Sequence, residues 1–414
     1  MDPDLEDHYK ELLTQWKKDE DNMKDELNEI KKTLVDLKNL IASYADPSKS
    51  TAEGNGLQEA EIGAETDFNV TTRDSEGKLV YHEEDQVTAK IRSPNGEDEE
   101  IKPKHCQNGN YTLRYEPKSI GLHDIVVEVN GKALTGSPWR VQVTGHRYKA
   151  LHSFGSREKG LAEFAGPGSI AVSERTGNIA IVDALNKRVQ LFDSKWKYLR
   201  TIGDKGRVER RGKPRSVAFT ASDDVVVIHY EPDQRSKMFL FTEHGQFIKH
   251  IGQYLNTPLH VSIRSDDHMI VSDSGDNSVK VLTPDGAGLV QSFNAPDCDS
   301  SPTCAVYHED KFFVSYVSAN CVKVFNKEGE LQYDIGREGS GDGELQCPIG
   351  LAIDKFNNLI VCDSFNSRLQ VFSLDGKFIN SFNARMERPW YVAVTKEDKV
   401  LVSDTKQNVI RIFN

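Results

Sequence analysis

The sequence predicts a mainly β chain with three parts: an N-terminal coiled-coil helix, an immunoglobulin-like sandwich and a six-bladed β-propeller. Three observations carry this. Apolar residues recur at alternating steps of four and three from Tyr9 to Tyr44, and strand-like runs of period two fill residues 60–146. From residue 147 onward, a four-stranded unit restarts at Pro167, Pro214, Pro258, Pro302, Pro348 and Pro389.

The helical seam reads Tyr9, Leu13, Trp16, Met23, Leu27, Ile30, Leu34, Leu37, Ile41 and Tyr44, broken only at Glu20. A 3.5-residue repeat held this long makes a narrow apolar stripe that needs a partner helix, so residues 1–45 are expected to self-associate as a coiled coil. The periodicity leaves parallel and antiparallel pairing open. The competing reading is a helix that packs on its own globular domain. Asp46-Pro47 stops the helix, and the polar, glycine-containing run SKSTAEGNGLQEAE is expected to be a linker over 46–59.

Residues 60–146 alternate apolar and polar positions in TDFNVTTRD, KLVYHEEDQVTAKI, NYTLRYEP, HDIVVEVN and WRVQVTG, punctuated by Gly, Pro and Asn. Short strands so spaced suggest a sandwich. Gly109, Tyr111, Tyr115, Pro117, Gly121 and His123, followed by Gly131 and Gly136-Ser137-Pro138-Trp139, resemble the filamin repeat, with Trp139 where phenylalanine is usual. The resemblance implies a spacer between helix and propeller. Strand addition at an exposed sheet edge is the alternative.

The propeller unit is clearest at 348–383, where GLAID, LIVCD and RLQVF are followed by an Asp375-Gly376 turn and KFINSF. Successive copies start 47, 44, 44, 46 and 41 residues apart. Aligned on the second strand they give a column of Asp183, His229, Asp273, Tyr316, Asp363 and Asp404. A second column, opening the third strand, holds Val189, Val279, Val322, Leu369 and Ile410. One such sheet cannot bury both faces, but six arranged radially can. The last copy ends after its third strand, and Arg147 to Gly155 has the texture of the missing fourth, which would close a ring over 147–414.

The repeat, with its proline, its second strand ending in Asp and its Arg or Lys before the third strand, resembles the NHL repeat. Coiled coil, filamin repeat and NHL propeller in this order resemble the TRIM-NHL family. That resemblance implies the substrate-recognition half of an E3 ubiquitin ligase, recruiting a protein target for ubiquitination, or an RNA-binding post-transcriptional regulator. The family's RING and B-boxes need dense zinc-binding Cys and His, whereas the six cysteines here are scattered with no C-x-x-C pair. Ligase activity would therefore require a RING elsewhere.

Composition narrows the classes further. The net charge is −12, yet residues 147–414 hold 34 basic and 34 acidic side chains, so the first 146 positions carry all of it. No apolar run suits a membrane span or signal core, and a cytoplasmic protein is expected. No G-x-S-x-G, H-E-x-x-H or glycine-rich phosphate loop is present, and the propeller histidines never recur as a set, so neither a catalytic centre nor a cofactor nor a metal is expected.

Two candidate sites remain. In the Asp column, Ca²⁺ ligation is weighed against a structural role in which each Asp accepts N–H bonds from the loop after its own strand. His229 and Tyr316 interrupt the column, which favours loop-locking by Asp183, Asp273, Asp363 and Asp404. The second site is KGRVERRGKPR, with Lys205, Arg207, Arg210, Arg211, Lys213 and Arg215 around Glu209, between the first outer and second inner strands. Propeller topology puts it on one face with Lys187, Arg188, Arg235, Lys237, Arg368, Arg385 and Arg388. That face is expected to bind a protein target or single-stranded or structured RNA, with Phe164, Tyr230, Phe365, Trp390 or Tyr391 available for stacking. Asp276, Asp342, Glu344 and Glu387 on the same rim weigh against RNA.

Overall fold

The computed structural model describes residues 3–104, 108–155, 160–202, 212–230, 236–296 and 298–414, without the side chains of 3–6 and 41–43. The chain forms two compact units, Met1–His146 and Arg147–Asn414.

The first unit begins with helix α1, Pro3–Ser43, whose 41 residues extend roughly 60 Å at 1.5 Å each. Its described seam residues Leu13, Trp16, Met23, Leu27, Ile30, Leu34 and Leu37 are 41% to 62% exposed. The Ile41 side chain lies outside the described residues. At the end of the seam, the Tyr44 hydroxyl donates to Glu84 at 2.7 Å and its ring meets His82 at 4.1 Å.

Residues 46–59, expected as a linker, are part of the sandwich. One sheet runs Thr51–Glu53, Thr66–Thr71, Asn110–Tyr115 and Pro103–Lys104. The other runs Glu59–Glu61, Trp139–Thr144, Gly121–Val129, Val87–Arg92 and Asp98–Ile101, with Lys132–Ala133 paired to Gly121–Val129. Thr51–Glu53 and Glu59–Glu61 are strands too short to show alternation. Their glycines serve close packing rather than flexibility: a Cβ on Gly56 would stand 2.6 Å from the Asp67 carbonyl oxygen. Tyr115 then donates its hydroxyl to the Gly56 carbonyl at 2.5 Å. Phe68, Val70, Leu113, Ile125, Val127, Val141 and Val143 fill the space between the sheets.

The second unit contains six four-stranded antiparallel sheets. We call their strands a to d from inside outward. Blade 1 is Pro167–Val172, Ile179–Asp183, Arg188–Phe192 and Tyr198–Ile202. Blade 2 is Lys213–Phe219, Val225–Tyr230, Lys237–Phe241 and Phe247–Ile251; blade 3 is Pro258–Ile263, Met269–Asp273, Ser278–Leu282 and Leu289–Asn294. Blade 4 is Pro302–His308, Lys311–Tyr316, Cys321–Asn326 and Leu331–Ile335; blade 5 is Pro348–Ile353, Asn358–Asp363, Arg368–Ser373 and Phe378–Phe382. Blade 6 combines Pro389–Val394, Val400–Asp404 and Val409–Phe413 with Ala150–Phe154, which pairs antiparallel with Val409–Phe413. The a strands touch their neighbours in a closed cycle from blade 1 to blade 6 and back. Apolar side chains from adjacent blades interleave, as Val182 and Val189 do with Val217 and Val227.

Each a strand has a register irregularity just after its proline. The residues two after these prolines are Ser169, Ser216, His260, Cys304, Gly350 and Tyr391. Tyr391 and His260, from opposite blades, stack at 5.3 Å and 13°. A Cβ on Gly350 would fall 2.6 Å from the Tyr391 Cα, so the approach of these strands requires glycine there. Burial depresses the His260 pKa to about 3 and pushes the adjacent Cys304 thiol up to about 12.

Candidate partner-binding face

In an antiparallel a–d meander, the loops between strands b and c and those leading from d into the next a strand fall on one side of the ring. The Asp column stands at the end of strand b, directly beneath this face. Asp183, Asp273, Asp363 and Asp404 are all fully buried.

Their carboxylates are held by hydrogen bonds, and blades 1 and 5 do so in parallel. Asp183 Oδ1 accepts from the Ala165 N–H at 2.7 Å, and Asp363 Oδ1 from the Gln346 N–H at 2.7 Å. Asn186 and Asn366 donate to both oxygens of their Asp at 2.9 to 3.1 Å. Arg188 Nε and Arg368 Nε each donate at 2.8 Å. Gln190 and Gln370 complete the sets at 3.3 and 3.0 Å. The same arginines reach on to the incoming loop, Arg188 to the Gly160 and Glu163 carbonyls and Arg368 to those of Gly341 and Glu344.

Blades 3 and 6 reach the same end with the cation two residues later. Asp273 accepts from the Asn256, Thr257 and Gly275 N–H groups and from Lys280 Nζ at 2.8 Å. Asp404 accepts from the Glu387, Arg388 and Gln407 N–H groups, with Arg411 Nε 3.5 Å away. The loop after the Asp supplies only part of these bonds. Most backbone donors come from the loop entering the blade, because that loop passes over the end of strand b before descending into strand a. Among the described residues no His, Cys, Asp and Glu group is arranged to hold a metal ion.

In blades 2 and 4 the column is filled without charge. His229 is buried, with its pKa lowered to about 4 by desolvation, and Tyr316 is fully buried with its phenol raised for the same reason.

The expected basic residues separate into two groups. Arg188 and Arg368, each 14% exposed, are spent on the Asp networks. Lys187 and Arg385 are exposed in the loops, Lys213 is exposed at the start of its strand, and Arg215 is half-buried beside Tyr391, whose phenol feels its charge. The Arg388 guanidinium lies over the Phe365 ring at 5.2 Å. Lys205, Arg207, Arg210, Arg211 and Arg235 lie outside the described residues. Of the aromatic candidates, Phe164 is fully buried, Tyr391 is buried at the axis and Trp390 is half-buried. Tyr230 and Phe365 are exposed.

Sequence reasoning overlooked the apolar side chains of the face. Leu161 is 64% exposed, Leu185 62% and Phe365 54%, with Tyr254 exposed as well. Leu185 and Phe365 each stand two residues after their Asp, at the tip of a turn whose backbone N–H bonds the incoming loop, to Ala165 and Gln346. The signal was present as Asp, apolar, Asn, Arg and Gln at offsets of zero, two, three, five and seven.

Comparison with known proteins agrees with this architecture. Residues 44–140 match the Filamin/ABP280 repeat and residues 301–408 a 6-bladed beta-propeller. The mouse E3 ubiquitin-protein ligase NHLRC1 is 25% identical over 313 residues, covering 70% of this chain and 76% of that protein. The chain is similar in sequence to proteins of the TRIM-NHL kind. The Xenopus tropicalis E3 ubiquitin-protein ligase TRIM71 is 30% identical over 158 residues, and mouse tripartite motif-containing protein 3 is 29% identical over 117. These two matches cover 37% and 28% of this chain but only 19% and 16% of the relatives' own lengths. Solved structures of a protein of unknown function from Bacteroides thetaiotaomicron and an auxiliary nutrient binding protein from Bacteroides ovatus share the fold alone. They superpose over 90% and 86% of this chain, and 99% and 95% of theirs, with TM-scores of 0.51 and 0.52 at 15% and 13% identity. No helix among the described residues is long and apolar enough to cross a membrane.

Proposed function

We propose that the chain is a cytoplasmic protein-interaction scaffold that recruits a protein target on the loop face of its propeller and is paired through α1. The supporting observation is the presentation of Leu185 and Phe365, large and exposed, on turns fixed by buried carboxylate networks. Rigid, exposed apolar and aromatic tips flanked by Arg and Lys are the composition of protein-binding hot spots. Two of the arginines that would have served phosphates are committed internally, which lowers the capacity of the face for RNA.

On this reading the chain supplies recognition for ubiquitin transfer, as its relatives named as ubiquitin ligases suggest, while a RING-bearing partner or longer form supplies catalysis. Two propellers held by paired helices would raise the avidity for a target with two sites.

A photo-crosslinking residue placed at Leu185 in the full chain, with one at Val290 on the outer strand of blade 3 as control, tests the reading in cell extract. Position 185 should yield discrete protease-sensitive, ribonuclease-resistant adducts that position 290 does not. Adducts removed by ribonuclease would instead establish RNA as the ligand.

A further inference from the structure

The fold sorts the charges of the loop face in a way that the linear sequence conceals. Lys187, Lys213, Arg215, Arg385 and Arg388 all belong to blades 1 and 2 or to the loop between blades 5 and 6. Among the described residues no hydrogen bond or ion pair engages their side-chain charges; Arg388 has only its contact with Phe365. The other half carries Asp276 in blade 3, paired with Lys280 at 2.6 Å, Asp299 before blade 4, and Glu338, Asp342 and Glu344 before blade 5, of which Glu344 is paired with Arg337 at 3.1 Å. Among the described residues the face is bipolar rather than uniformly basic. A polyanion crossing all of it would be repelled over half its path.

The apolar tips add a second, independent pattern. Only blades 1 and 5 carry the full Asp, Asn, Arg and Gln network, and only they place a large exposed apolar residue two positions after the Asp. In blade 3 that position is Gly275 and in blade 6 it is Lys406. Blade 1 also exposes Leu161 in its incoming loop, which the bond from Arg188 to the Gly160 carbonyl ties to the same network. In blade 5 the equivalent of Leu161 is Asp342, 4.0 Å from the Arg368 guanidinium, and Arg388 covers Phe365 from the loop leading into blade 6. Both tips therefore border the basic arc. Within that arc Glu387 is paired with Lys406 at 2.7 Å, and Glu163, like Glu344 in blade 5, turns its carboxylate onto a glycine N–H of its own loop and keeps its charge.

We propose that the arc of blades 5, 6 and 1 receives an acidic segment of the protein partner with two apolar anchors, one against Leu161 and Leu185 and one against Phe365. Lys187, Arg385 and Arg388 accept the carboxylates between the anchors. The proposal rests on the protein-docking reading above and names the partner's chemistry. Both anchoring turns are held by buried hydrogen bonds before the partner arrives, so little ordering entropy is lost on binding.

A phage-displayed pool of random peptides, panned on the full chain, tests this. Peptides rich in Asp and Glu with two separated large apolar residues should be enriched. The best of them should bind the L185D and F365D variants about thirtyfold more weakly, as hot-spot truncations do, and V290D as tightly as the parent. L185A and F365A, which only shorten exposed side chains, serve as a second pair, and unchanged unfolding midpoints show that the variants fold. Enriched peptides that are not acidic, or that bind all variants alike, would overturn the arc while leaving protein docking standing. A chain that enriches no peptide yet binds a random RNA pool would sink both.

Discussion

Asp363 accepts a backbone N–H, an amide from Asn366, the Nε of Arg368 and an amide from Gln370 while fully buried. Its replacement by Ala would leave a nearly buried guanidinium without its counter-charge, a change that typically costs about 3–5 kcal/mol. Thermal unfolding should show D363A with a clearly lowered midpoint, and an unchanged midpoint would mean that the network is not structural. His260 supports a second prediction. Its folded pKa, about 3, lies below the ordinary value of 6.5. The folded state therefore binds fewer protons, and stability present above pH ~6.5 is lost as pH falls from there toward ~3. His229, lowered to about 4, contributes in the same direction. In H260F, which keeps a ring against Tyr391, the urea midpoint should fall less between neutral and acid pH than in the parent; equal losses would contradict the assignment. The sequence displayed the Asp column but not its partners. Periodicity marks where a carboxylate stands, whereas only coordinates show whether Arg188 and Arg368 face a ligand or an internal charge.

The strands of the propeller were legible because each copy repeats short, nearly continuous apolar runs, buried throughout in Ile179–Asp183 and Met269–Asp273, and ends at a turn with its own chemistry. The strand at 150–154 was recognised by the same texture. Residues 46–59 were misread, since Thr51–Glu53 and Glu59–Glu61 are too short for a period and Gly54 and Gly56 look like linker glycines until Phe68 and Asp67 are seen against them. For α1 the heptad pattern is plain and the structure leaves its seam uncovered within this chain. With L27K and L34K combined, two charges would enter the centre of the proposed seam. Sedimentation should give a dimer for the parent and a monomer for the variant, while a parent that sediments as a monomer would remove self-association from the account.

The whole chain divides its charge unevenly, with the net −12 in the first 146 residues and a neutral propeller beyond. Counting along the sequence suggested a basic patch around Lys205 to Arg215. Ring closure puts Lys187, Lys213 and Arg215 on the same side of the ring as Arg385 and Arg388, although these two stretches lie far apart in the sequence. A protein partner can match such a face; a phosphate backbone matches only part of it. The most direct test is therefore a salt titration of the full chain against a random RNA pool, beside a variant with Arg207, Arg210, Arg211, Lys213 and Arg215 changed to Glu. The account predicts weak RNA binding that enriches no motif. Tight binding that falls by about a thousandfold or more between 50 and 200 mM salt, as several phosphate contacts would impose, and that vanishes in the variant would contradict it.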